Sequence, residues 1–146
     1  MSFAMDLQAF RDKVDRRTHA VVKSIVLSVG VKLVMKSPVG DAEYWIMPAP
    51  EGYTGGRFRG NWQYHLNSAD SSTSEKKDKT GGPTIAAIQA KLSDRPAGGV
   101  HYITNSLPYA RRLEEGWSHR QAPHGMIAIT VVEFRPIVAA AVRELK

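Results

Sequence analysis

The chain has 146 residues, a formal net charge of +6 and no cysteine, which excludes a disulfide framework, a thiolate zinc site and a cysteine nucleophile. A mass of 16.1 kDa fits one domain, residues 1–146, and 42% hydrophobic with 23% charged residues is the composition of a chain that folds. A pI near 9.7 suits an acidic partner, either nucleic acid or a complementary protein surface. Against the first, the basic residues are spread over Arg11 to Lys36, Lys76-Lys77-Asp78-Lys79 and Arg111-Arg112 without one dense arm, as solvated faces are.

The first residues lack the basic lead and apolar run of a signal peptide, and no uninterrupted apolar stretch approaches the ~20 residues of a membrane span; the expectation is a soluble, cytoplasmic chain without a membrane partner. From Asp6 to about Lys36, Leu7, Phe10, Val14, Val21, Val22, Ile25, Val29 and Leu33 recur at three- and four-residue steps, which predicts one amphipathic helix. Roughly thirty residues at 1.5 Å each span about 45 Å, so this helix should reach beyond its own core. Gly30 and the β-branched residues around it predict fraying, or a switch to strand, in the last turns. Residues 38–56 are rich in proline and glycine and carry Tyr44, Trp45 and Tyr53; they predict an ordered excursion that packs on the domain or on a neighbouring subunit.

Phe58, Trp62, Tyr64 and Leu66 alternate with polar residues and predict a half-buried strand over Phe58 to Ala69. Residues 70–82 contain no apolar side chain and predict a mobile or disordered loop. Pro83 with Ile85, Ile88 and Leu92 predicts a short helix to Ser93, and Val100 to Ser106 a second strand, antiparallel to the first. In Asn105 to Met126, Ser106 is expected to cap a helix opened by Pro108, Gly116 to end it, and Gln121-Ala-Pro-His-Gly125 to form a fixed turn. Thr130 and Glu133 match a capping box ahead of a C-terminal helix, with Pro136 marking a kink or the start of its regular part. The fold class expected is α+β: a small antiparallel sheet packed with a long N-terminal helix and a C-terminal helix.

Tests for chemistry are negative. Of His19, His65, His101, His119 and His124 no two stand four apart on a helix, so the spacing gives no zinc-protease geometry and no metal site is assigned. Glu114 and Glu115 point about 100° apart on a helix and cannot flank one bond; one is expected to pair with Arg111 or Arg112 or to cap neighbouring backbone. Gly55 to Gly60 lacks the Lys-Ser/Thr of a P-loop, and Ser118 beside His119 has no acidic orienter. Arg57 and Arg59 beside Phe58 and Trp62 leave open a module that binds single-stranded nucleic acid by charge and stacking. No enzyme activity and no cofactor are expected.

Three blocks stand in order: Ser37-Pro-Val-Gly40, Thr54-Gly-Gly-Arg-Phe-Arg-Gly-Asn-Trp-Gln63 and Asn105 to Met126. Together they resemble the tailed-bacteriophage neck and tail-completion proteins, the tail components and head–tail joining proteins of siphophage type. The resemblance covers about Ser37 to Val132. It implies a structural virion protein that assembles in the host cytoplasm, a ring homo-oligomer (a hexamer) with connector or head-closure and tail-tube or tail-terminator proteins as partners, and genomic DNA in the channel as a further contact. Asn61, Trp62, Asn105, Pro108, Tyr109, Glu114, Gly116, Gln121, Pro123 and Gly125 match its motifs, which implies structural or assembly roles. Tyr44, Trp45, Tyr53 and Trp117 are read as aromatic interface anchors, with Met126 in the same turn as Trp117; for Trp117 and Met126 the alternative is plugging their own core. The excursion between Val39 and Thr54 looks like that of one branch of the family, and Pro136 departs from its pattern. Competing classes are a basic module that contacts DNA and an assembly chaperone.

Overall fold

The computed structural model describes residues 2–45 and 47–145; the side chain of Tyr44 lies outside the described part. Helix α1 runs unbroken from Phe3 to Lys36, capped at its start by the Ser2 hydroxyl. A 3₁₀ turn at Ala42–Tyr44 interrupts the excursion. One helical turn, α2 (Arg57–Gly60), precedes strand β1 (Gln63–Leu66). Helix α3 (Gly82–Ser93), strand β2 (His101–Thr104) and the short α4 (Ala110–Glu114) follow, and α5 (Ile127–Val132) and α6 (Phe134–Glu144) close the chain. The two strands pair antiparallel, with Tyr64 opposite Ile103 and His65 opposite Tyr102. The fold is an α+β mix with a two-stranded sheet.

The core explains the layering. Leu33 and Val34 of α1, Ile88 and Leu92 of α3, Phe58, Trp62 and Tyr64 around β1, and Leu107, Ala122 and Met126 form one buried cluster. Helix α3 packs on β1 and on α1, and α6 packs along α1. Gly30 lets α1 approach: a Cβ there would stand 3.4 Å from both Ile88 and Ile103. The last turns of α1 neither fray nor become strand, because Leu33 and Val34 are anchored in the core and the Ser37 hydroxyl donates to the Leu33 carbonyl at 2.7 Å. By length and composition α1 would be able to cross a membrane; in this structure residues 21–29 of it are half-buried, and Gly30, Leu33 and Val34 fully so. Residues 2–20 lie outside the core and are exposed apart from the partly covered Asp12.

Four further expectations are corrected. The strand predicted over Phe58 to Ala69 is confined to Gln63–Leu66. Phe58 and Trp62 are four apart, a spacing that suits a helical turn as well as a strand, and both are buried with their rings 5.9 Å apart. The polar segment 70–82 follows a fixed course against α2. The Asn61 amide donates to the Arg57 and Ser74 carbonyls and its oxygen accepts the Ser74 N–H at 2.8 Å. Gly60 permits the approach, since a Cβ there would stand 2.6 Å from the Lys76 carbonyl oxygen.

The Ser106 hydroxyl donates to the Asp70 carbonyl and caps no helix; Pro108 precedes α4, in a turn where the Asn105 carboxamide oxygen accepts the Leu107 N–H. Thr130 and Glu133 form no capping box. The Thr130 hydroxyl donates to the Met126 carbonyl inside α5, while Glu133 sits at the α5–α6 break and reaches Lys32 and Lys36 of α1. The regular C-terminal helix begins at Phe134, with Pro136 in its first turn, where the missing N–H has no intrahelical acceptor.

Candidate functional site

Two carboxylates far apart in sequence fix the ends of the short helices. Asp78 is 3% exposed. It accepts the N–H groups of Thr80, Gly81 and Thr84 and, at 2.6 Å, the Thr84 hydroxyl. It thereby caps α3, whose flanking residue Gly81 has no side chain to do so. Burial alone would push its carboxyl up; the hydrogen bonds from Thr84, Gly81 and Thr80 outweigh it and bring the group down to about 2.

Glu114, at the end of α4, accepts three consecutive amides at 2.9 Å each, those of Met126, Ile127 and Ala128. These are the free donors at the start of α5. Glu115 pairs instead with Arg111.

The turn after α4 is interlocked by two glycines in the left-handed region. Gly116 (φ 89°) leaves no room for a Cβ against the Pro123 carbonyl, and Gly125 (φ 77°) none against the Glu114 carbonyl. Each therefore needs glycine for backbone shape and for space. Met126, 1% exposed, plugs the core beneath.

The three blocks named from the sequence meet here. The Gln121 carboxamide oxygen accepts the Val39 N–H at 2.7 Å, joining the turn to the excursion. The Trp62 indole donates to the Ser37 hydroxyl at 2.7 Å, and the Asn105 amide donates to the Phe58 carbonyl at 2.8 Å. Gly56 N–H donates to the Val39 carbonyl and Gly56 C=O accepts from Asp78 N–H, which ties the excursion, α2 and the polar segment together.

Between the excursion and the α4 turn lies a groove of about 900 Å³. Trp45 and Tyr53, ring edge to face at 4.9 Å, line it together with Phe58, Tyr109 and Trp117. Trp117 is 62% exposed and lies under the Arg112 guanidinium at 5.0 Å, a cation–π contact that holds the ring outward. Trp45 is 44% exposed. Burial raises the Tyr109 phenol above its ordinary value, with nearby Arg57 opposing.

The candidate residues therefore divide. Asn61, Trp62, Asn105, Glu114, Gly116, Gly125 and Met126 hold the backbone or the core. Gln121 both holds the Val39 N–H and lines the groove, as Trp45, Tyr53, Tyr109 and Trp117 do, while Pro108 and Pro123 are exposed, the Pro123 carbonyl lying against Gly116. The backbone of Tyr44 ends the 3₁₀ turn; its interface role rests on a side chain outside the described part. Of the two residues given a core alternative, Met126 takes it and Trp117 does not.

Sequence reasoning missed Asp78. Its signal was an acidic residue just ahead of Gly-Gly-Pro-Thr, a helix start with no other capping side chain. The stacking surface proposed for nucleic acid is not formed by Phe58 and Trp62, which are buried. Nor is Arg59 directed at solvent: its guanidinium donates to the carbonyls of Met35, Ser37 and Lys79. Among the described residues no group of three or more His, Asp or Glu is placed to hold a metal ion.

Comparison with known proteins finds no matching family model, no matching curated protein and no matching solved structure.

Proposed function

We propose that the chain is a structural virion protein of the phage head–tail junction, a subunit of a neck or tail-completion ring needed to join or finish the tail. In this reading six copies close the ring, connector or head-closure proteins lie on one side, tail-tube or tail-terminator proteins on the other, and genomic DNA passes through the channel. The protein acts by assembly and not by catalysis.

One observation carries the reading. The blocks on which the phage resemblance rests span about 90 residues of sequence, yet their buried members lock together, and the exposed aromatics Trp45, Tyr109 and Trp117 line one groove. Rigid aromatic side chains on a braced scaffold are what interfaces use as anchors, since they bury much area at small entropic cost. A ring needs contacts in which one surface of a subunit meets a different surface of the next, and a concave aromatic groove supplies one of the two.

Native mass spectrometry and light scattering of the purified chain, alone and with connector or tail-tube proteins, test the proposal. A closed ring, alone or on a partner, is the expected result. A monomer that ignores those partners yet binds DNA with steep salt dependence would replace it with the nucleic-acid module.

A further inference from the structure

The first half of α1 carries an apolar stripe that none of the described residues covers. Phe3, Leu7, Phe10 and Val14 follow one another at steps of four, three and four, the spacing that lines up one face of a helix for a partner helix. They are 81%, 55%, 65% and 45% exposed. Beside the stripe, on one flank, stand Asp6 and Lys13, each one residue before a stripe position. Among the described residues neither has an ion-pair partner in its own chain.

We propose that this arm pairs with the same arm of a second copy, antiparallel, overlapping from Phe3 to Val14. Two features select the second copy and the orientation. Antiparallel overlap sets Asp6 against the partner's Lys13 and Lys13 against the partner's Asp6, matching the two charges left without partners. It also faces large with small, Phe3 with the partner's Val14 and Leu7 with the partner's Phe10, so that the layers fill evenly. A parallel pair would stack phenylalanine on phenylalanine. It would offer Asp6 to Arg11, which already faces Asp15 at 3.9 Å, and would set Arg17, the next stripe position, against its own copy.

The contact is isologous and closes at two copies, so it stands whether or not subunits also form a ring. Four side chains per arm cover less than the roughly 800 Å² per partner of a standard interface, so the pairing belongs to the weak class and is read at high concentration.

The test is sedimentation equilibrium of the full chain from about 1 to about 300 µM, a range chosen for a weak interface. The wild type should double in mass across it, and Phe10→Asp should stay at the lower mass. Position 10 is exposed, so the far-UV spectrum of that variant should be unchanged. Asp6→Lys and Lys13→Asp should each weaken the doubling several-fold, and the double variant D6K/K13D should restore it.

If the wild type does not double, or Phe10→Asp doubles like it, the pairing is wrong. If Lys13→Asp is silent and the double variant stays weak, the antiparallel register is wrong. Loss of the ring reading looks different: doubling persists, but no mass above two copies forms with or without connector proteins.

Discussion

Asp78 shows how much one buried carboxylate holds. Its folded pKa of about 2 lies below the 3.8 of the free group, so its contribution is fully present above about pH 4 and is lost as pH falls through about 2. The shift corresponds to about 2 kcal/mol. Asp78→Asn should lower stability at neutral pH by roughly that amount, because the amide leaves α3 without its charged cap. Urea midpoints of wild type and variant measured from pH 6 down to pH 2 should converge as the wild type loses what the variant never had. A constant gap would mean that Asp78 acts by shape and not by charge.

Glu114 works between elements. It is the last residue of α4, and its carboxylate supplies the N-terminal cap of α5 across the turn, where the helix dipole also favours negative charge. Glu114→Gln keeps the size but turns an N–H donor toward backbone N–H donors. The expected cost is about 1–3 kcal/mol, read as a lower denaturant midpoint.

At this scale the sequence was readable where elements obey local rules. The periodicity of α1, Pro83 at the start of α3, the antiparallel strand pair and Gly116 as a helix stop all stand in the structure. It misled where a partner from afar decides. Thr130 and Glu133 look like a cap by spacing, but the real cap of α5 lies 13 residues before Ile127. Glu133 is drawn instead to Lys36 and Lys32, whose hydrogen bonds hold its pKa below the ordinary carboxylate value. The polar run 70–82 reads as disorder by composition because its apolar neighbours are supplied by other segments and Asp78 finds its donors only when α3 is formed. For the candidate groove, residue types were legible and roles only in part: the alternation around Trp62 pointed to its burial, whereas nothing local decides between interface and core for Trp117.

Across the whole molecule, exposure and bracing separate two kinds of aromatic residue. Trp117→Ala and Trp45→Ala remove side chains 62% and 44% exposed, so each should change stability by less than about 1 kcal/mol. If the groove is an assembly surface, the same variants should weaken ring formation or partner binding at least tenfold, which corresponds to about 1.4 kcal/mol. Thermal melts and native mass spectra taken on the same samples check both halves. A large loss of melting temperature with assembly intact would assign these rings to the fold.

The continuous course of α1 has a mechanical consequence. Gly30, Leu33 and Val34 fix its C-terminal end between α3 and the core and residues 21–29 are half-buried, while Phe3 lies 18 residues before residue 21, about 27 Å along the axis. An unbroken helix held at one end is a lever. A tilt of about ten degrees at the fulcrum carries its tip through about 5 Å, close to one helical turn. The reach and aim of the tip are therefore governed by how tightly α3 and α6 grip the other end, and loosening the packing around Gly30 would misdirect contacts made far away.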